Sequence, residues 1–268
     1  MKKRVLSAAF LLAVMCAFVL FSEVTRLIFF FAVGIMCSYE YCARASENGI
    51  CVIPWVFYGM IGVSLVLSIT HCGPMTYIST FMFSICIALF SAVISGKAAG
   101  EGIIYTVAGL AYPGVAILLM MIISVSGHWH QSLALGFFSS IICDTFCLLG
   151  GSRFGKHKLC PEVSPNKTWE GSICGAASAL ISGVLVWLIC RLFAPLPLWF
   201  CMVTAFLSST TGQIGDLAES MLKRHFGIKD FSNLIPGHGG MFDRADSIMF
   251  AVPTAYFCLY CVEYFGII

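Results

Sequence analysis

Apolar runs long enough to cross a bilayer recur from one end of this chain to the other, and no other feature restricts its fold as much. A membrane-spanning helix needs roughly twenty consecutive, mainly apolar residues. Such runs lie at approximately 5–22, 27–43, 50–70, 76–96, 103–126, 131–151, 172–190, 196–215 and 246–267. Composition agrees, because 59% of the 268 residues are hydrophobic and only 10% are charged, against about a quarter charged in a soluble domain. The expected fold class is therefore all-α, a polytopic membrane helical bundle of about nine transmembrane helices. The second run is short and carries Glu40, so its limits are the least defined, and eight or ten spans would also fit. We divide the chain into N-terminal transmembrane helices at 1–130 and C-terminal transmembrane helices at 131–268, the latter with two cytoplasmic loops forming a catalytic region.

Charge sets the orientation. Lys and Arg resist translocation and collect on the cytoplasmic side. With a cytoplasmic N-terminus, thirteen of the fifteen basic residues fall on one side, and only Arg26 and Arg191 on the other. Lys2-Lys3-Arg4 and the apolar run to Phe21 look like a signal peptide, but no small-x-small cleavage site follows, so an uncleaved first span is expected. A net charge of +2 gives no hint of a nucleic-acid partner. The fourteen cysteines sit mostly inside apolar runs, where they read as small hydrophobes rather than a disulfide framework.

The acidic residues mark the place where chemistry can occur. All five aspartates, Asp144, Asp216, Asp230, Asp243 and Asp246, lie in or beside two long loops at roughly 152–171 and 216–245. Topology does not require this, since acidic residues contribute little to orientation. If the eighth span continues as a helix, Asp216, Ser220 and Lys223 fall at i, i+4 and i+7 and share one face. Asp243 and Asp246, three apart, share a face at the start of the ninth span. Carboxylates brought together disfavour ionisation unless a cation neutralises them, and hard oxygen ligands suit Mg²⁺.

Between those helices lie Lys229 and the glycine-rich turn Pro236-Gly237-His238-Gly239-Gly240. Backbone N–H groups in such turns can approach an anion closely. Lys223, Arg224, Lys229 and Arg244 surround the turn with positive charge, and His238 reads equally well as a phosphate contact or as a stabiliser of the turn. Upstream, Ser164 and Lys167 could also grip phosphate, while Trp169 reads as an interfacial anchor. The run Ser208–Gln213 reads as helix-joining residues or as the lining of a cavity, and Asp144, inside the sixth span, should face a polar cavity or a cation. Carboxylates, cations and a glycine turn within thirty residues are what phosphoryl or nucleotidyl transfer requires, because that chemistry depends on positioning and charge neutralisation.

The segment Ser220 to Asp246, Ser-x-Leu-Lys-Arg, four residues, Lys-Asp-x-Ser, then Ile-Pro-x-His-Gly-Gly-Met-x-Asp-Arg-x-Asp, closely resembles the signature of the phosphatidate cytidylyltransferase (CDP-diacylglycerol synthase) family. Asp144 to Gly171 is similar to a second region of that family, through Gly151, Phe154-Gly155, Ser164-Pro165, Lys167-Thr168 and Glu170-Gly171. Cys147-Leu148, Ser152, Asn166 and Ala245 depart from its usual residues. The resemblance implies transfer of a cytidylyl group from CTP to phosphatidic acid, giving CDP-diacylglycerol and pyrophosphate. It also implies a Mg²⁺ requirement, with a second cation allowed. Asp216, Lys223, Asp243 and Asp246 would be catalytic, with the three aspartates as metal ligands. Ser220, Arg224, Lys229, His238, Gly239, Gly240, Arg244, Ser164 and Lys167 would bind substrate. The partners expected are CTP, phosphatidic acid and membrane lipids, with no nucleic acid and a homo-oligomer left open. The place expected is the cell (inner) membrane, as a multi-pass protein whose active site faces the cytoplasm. A transporter with intramembrane acids and a CDP-lipid-consuming phosphatidyltransferase are the competing readings. The first would put its functional residues near the bilayer midplane in two related halves; the second would carry an Asp-Gly-x-x-Ala-Arg run, which this sequence lacks.

Overall fold

The computed structural model describes residues 18–95, 100–191, 195–234 and 239–266. His238, Lys97 and the N-terminal Lys2, Lys3 and Arg4 lie outside the described residues, as does most of the first expected span. The chain is an all-α membrane bundle, with one small two-stranded sheet among the described residues. Its helices are α1 (Glu23–Glu47), α2 (Pro54–Ile69), α3 (Pro74–Ser95), α4 (Glu101–Gly109), α5 (Val115–Val125), α6 (Trp129–Phe154), α7 (Trp169–Ala177), α8 (Ala179–Cys190), α9 (Leu198–His225), α10 (Phe242–Ala245) and α11 (Ile248–Tyr264). Among the described residues, six helical stretches are long and apolar enough to cross a membrane, and α2 is a shorter apolar helix. Phe83, Phe90 and Val93 on α3 are 68%, 68% and 81% exposed, an apolar surface that lipid tolerates and water does not.

The first compact unit comprises the described residues up to Ser126 together with Phe226–Arg244. Its central helix, α1, begins at a reciprocal cap: the Ser22 hydroxyl accepts from the Thr25 N–H at 3.1 Å, and the Thr25 hydroxyl accepts from the Ser22 N–H at 3.0 Å. α1 packs against α2 and α5. Small residues permit the close approach, since a Cβ on Gly34 would stand 2.6 Å from Ile117 Cγ2. Between α4 and α5 the helix is interrupted by a π segment, Leu110–Gly114, where Pro113 cannot donate to the helical ladder and Tyr112 leaves helical geometry. Arg26, 3% exposed, donates from Nε and Nη2 to the Ser124 carbonyl at 2.9 and 2.7 Å. It thereby satisfies a carbonyl in the last turn of α5, which explains how a guanidinium can be buried there.

The second unit comprises Gly127–His225 with Ala245–Ile268. Leu135, Val186, Phe200, Cys201, Ala255 and Leu259 form its core. α6 and α11 touch backbone to side-chain position at Gly136, where a Cβ would meet Val252 Cα at 2.5 Å. The expected seventh span is two helices, α7 and α8, divided at Ser178. α6 leads into an antiparallel hairpin, β1 (Lys158–Cys160) and β2 (Ser164–Thr168). β2 then delivers Thr168 as the cap of α7, its hydroxyl accepting from the Gly171 N–H at 3.1 Å. Glu170 in the first turn of α7 accepts from the Lys156 and His157 N–H groups, at 3.1 and 3.2 Å, so the loop after α6 is tied to the helix that follows the hairpin.

Helix α9 carries this unit towards its chemistry. Its 28 residues span about 42 Å; its first turns are apolar, its last carry Lys223, Arg224 and His225, and it is not among the six stretches apolar enough to cross a membrane by composition. Its polar run serves to join helices. Gln213 accepts from Ser172 Oγ at 2.5 Å and donates to Cys143 Sγ at 3.3 Å, and Thr211 accepts from Thr254 Oγ1 at 2.9 Å.

Candidate active site

In the second unit, the end of α9 and the start of α11 bring three acids together. Ligand oxygens of Asp216, Glu219 and Asp246 all lie within 4.8 Å of one another. Asp216 and Glu219 are three apart on α9 and therefore share a face. Asp246 is added because the helices meet at Gly215, where a Cβ would stand 2.6 Å from the Asp246 carbonyl oxygen and 2.7 Å from Phe250 Cδ2. Glycine is what allows the backbone of one helix to lie against the other immediately beside Asp216.

Two lysines partly neutralise the cluster. Lys167, delivered by β2, places Nζ 2.6 Å from Asp216 Oδ2. Lys223 places Nζ 2.5 Å from Oε2 of the fully buried Glu219, one turn back on α9. Ser220 Oγ lies 3.5 Å from Asp216 Oδ1, and Asp246 Oδ1 accepts from the Ser247 N–H at 2.7 Å. Three carboxylates against two ammonium groups leave negative charge in excess. At an effective dielectric near 20, each carboxylate pair repels by roughly 3 kcal/mol at this separation. The donor set is hard, anionic and made of oxygen, which suits Mg²⁺ or a similar divalent cation. Arg224 donates from Nε to the Val163 carbonyl at 3.1 Å, fixing the end of α9 to the hairpin turn, and Ser164 lies on β2 next to that turn.

The first unit holds the other expected site residues in the segment Phe226–Arg244. Lys229 and Arg244 are exposed there. Gly239 has φ +83°, a left-handed conformation that glycine adopts without strain. Asp243 has the local role of an acceptor: its Oδ2 takes the N–H of Phe231 at 2.9 Å and of Gly240 at 2.6 Å. The buried rings of Phe231 and Phe242 pack against each other, tilted by 41° with centroids 4.6 Å apart, and anchor the segment from inside. In the same unit, Glu40 of α1 is 2% exposed and accepts from Ser232 Oγ at 2.5 Å and from the N–H groups of Met241 at 3.0 Å and Phe242 at 2.8 Å.

Of the residues expected from sequence, the second unit thus brings together Lys167, Asp216, Ser220, Lys223 and Asp246, while Lys229, Gly239, Gly240, Asp243 and Arg244 belong to the first. Glu219 and Glu40 were not expected. The signal for Glu219 was present in its i+3 spacing from Asp216 and its i+4 spacing to Lys223; nothing local distinguished Glu40.

Residues 2–262 match the Cytidylyltransferase family. Among similar proteins, the phosphatidate cytidylyltransferase of Bacillus subtilis is 48% identical over 110 residues, covering 41% of this chain and 40% of that protein. That of Staphylococcus saprophyticus is 39% identical over 146 residues, or 54% of each chain. These two alignments span only about half of the relatives' lengths. The phosphatidate cytidylyltransferase of Brucella abortus is 32% identical over 233 residues, covering 85% of this chain and 82% of that one. A match over nearly the whole length, on a membrane bundle that gathers acids and lysines where α9 meets α11, leads to one conclusion: the chain belongs to the cytidylyltransferase family.

Proposed function

We propose that this chain is a phosphatidate cytidylyltransferase, joining the cytidylyl group of CTP to phosphatidic acid with release of pyrophosphate, at a site on the cytoplasmic face of the cell membrane. The observation that carries the reading is the cluster of Asp216, Glu219 and Asp246 with Lys167 and Lys223, towards the charged end of α9, whose first turns are apolar. A lipid acceptor reaches such a place from the bilayer and a nucleotide from water. The attacking group is a phosphate monoester with a second pKa near 6, so at neutral pH it is already a nucleophile and needs no general base. What opposes the reaction is repulsion between anions. Asp216, Glu219 and Asp246 would hold a divalent cation, which when bound supplies charge neutralisation between the reacting phosphates. Lys167 and Lys223 stand beside the carboxylates and would offset phosphate charge as groups approach, while Ser220 and Ser164 would offer hydroxyls. Lys229, Arg244 and the glycine turn would take the triphosphate through positive charge and backbone N–H groups. His238 and Arg224 complete the expected substrate contacts.

The test is incorporation of radiolabelled CTP into lipid by purified protein in vesicles. Label should enter lipid only with both phosphatidic acid and Mg²⁺ present, and EDTA should stop it. Lipid labelling that persists in EDTA would overturn the metal assignment, and absence of labelling under all conditions would overturn the activity. Asp243 enters the reading twice, as a metal ligand expected from sequence and as the acceptor that shapes the turn. Asparagine keeps a carbonyl oxygen for both amides but removes the charge, so the ligand role predicts that Asp243→Asn loses Mg²⁺-dependent turnover. Near-normal turnover leaves Asp243 only its role in the turn.

A further inference from the structure

We infer that Glu40, a membrane-helix acid far from the loops in sequence, is a positioning residue that sets the backbone position of Gly239-Gly240; this rests on the reading of Gly239, Gly240, Lys229 and Arg244 as CTP phosphate contacts. Its carboxylate is 2% exposed on α1 and takes three donors, Ser232 Oγ at 2.5 Å, Met241 N at 3.0 Å and Phe242 N at 2.8 Å. These donors lie on both sides of Gly239-Gly240 in sequence, so one side chain holds Ser232 before the pair and Met241 and Phe242 directly after it. The fit is close. A Cβ on Gly240 would stand 2.6 Å from both Glu40 oxygens, so residue 240 must be glycine for the carboxylate to reach its donors. One helical turn further on, Arg44 donates from Nε to the Phe231 carbonyl at 2.5 Å, giving α1 an acceptor and a donor on one face, both closed on the same segment.

All three groups facing Glu40 are donors, and this makes its chemistry specific. A carboxylate is an acceptor at both oxygens, whereas a glutamine offers one oxygen and one NH₂. In either amide orientation, Glu40→Gln sets NH₂ against at least one N–H or O–H, leaving a buried donor unsatisfied. Shortening to aspartate withdraws the carboxylate by one methylene. Neither change alters the apolar face with which α1 packs.

The experiment uses full-length protein in lipid nanodiscs and compares wild type, Glu40→Gln, Glu40→Asp, Gly240→Ala and the double variant Glu40→Gln/Gly240→Ala. The expected result for Glu40→Gln is a KM for CTP raised at least tenfold with the KM for phosphatidic acid within twofold of wild type. Hydrogen exchange should accelerate at least tenfold in peptides covering 239–246 but not in those covering α2 or α3. Gly240→Ala breaks the same contact from the other side, so the double variant should be no worse than the poorer single one. Unchanged exchange at 239–246 in Glu40→Gln overturns the proposal whatever the activity. So does an equal loss for both substrates with additive losses in the double variant, which marks general destabilisation. Inactive wild type with accelerated exchange in Glu40→Gln keeps the contact and overturns the functional reading beneath it.

Discussion

Replacing Asp216 by asparagine is expected to lower Mg²⁺-dependent CTP incorporation into lipid by on the order of a hundredfold or more, the usual cost of removing one preorganised electrostatic group at a site of charge transfer. The size of the effect follows from the position of the side chain. Asp216 shares a 4.8 Å neighbourhood with Glu219 and Asp246, and its Oδ2 is also the partner of Lys167 at 2.6 Å. Asparagine is nearly isosteric, so packing around α9 is kept while one unit of negative charge is lost. A divalent cation then faces two carboxylates instead of three, and Lys167 no longer has an ion-pair partner at that position to hold it beside the cluster. A second readout separates metal binding from other damage. A ligand that binds the folded state raises its melting temperature by mass action, so Mg²⁺ should stabilise the wild type and stabilise Asp216→Asn far less. Turnover within threefold of wild type, with a full Mg²⁺-induced rise in melting temperature, would remove Asp216 from the metal site.

Glu219→Gln should move both readouts in the same direction, and it shows what the sequence did and did not display. Asp216, Lys223 and Asp246 were legible because their kind and spacing are unusual for a membrane protein: few aspartates, all next to basic loops, and at helical intervals. Glu219 had equally regular spacing, but a glutamate four residues before a lysine also describes an ordinary exposed ion pair. Only burial distinguishes them, and Glu219 is fully buried. Lys167 was legible as a cation near phosphate but not as the partner of Asp216, because that pairing depends on the hairpin. The hairpin itself was hidden: its strands have three and five residues, one contains Pro165, and neither alternates apolar with polar. Glu40 shows the strongest contrast. In sequence it only blurred the limits of a span, while in the fold it collects three donors from a segment about two hundred residues away. Local patterns record helices and helix faces well, because these depend on neighbours within a turn. Pairings across long loops leave no such record.

The second large effect concerns a side chain that is absent. Gly215→Ala should reduce turnover on the order of a hundredfold and destabilise the protein by about 1–3 kcal/mol, although alanine is the better helix former. The new methyl would stand 2.6 Å from the Asp246 carbonyl oxygen and 2.7 Å from the Phe250 ring. The first of these is backbone, which cannot rotate away, so α9 and the start of α11 must separate. The separation occurs one residue before Asp216, and it displaces Asp216 and Glu219 from Asp246. A displacement near 1 Å in groups that must act together costs about a hundredfold in rate. Gly212 provides the control on the same helix, one turn earlier. A Cβ there would meet Ser247 O at 3.4 Å, Ala251 Cβ at 3.6 Å and Ser140 Oγ at 3.7 Å, all ordinary contacts. Gly212→Ala should therefore keep its turnover and melt no lower than wild type, because the gain in helix propensity meets no steric cost. If both alanines behave alike, whether harmless or harmful, the close approach at Gly215 is not what assembles the acids. If only Gly215→Ala fails, and Mg²⁺ no longer raises its melting temperature, the three carboxylates act as one site whose spacing is set by a missing methyl group.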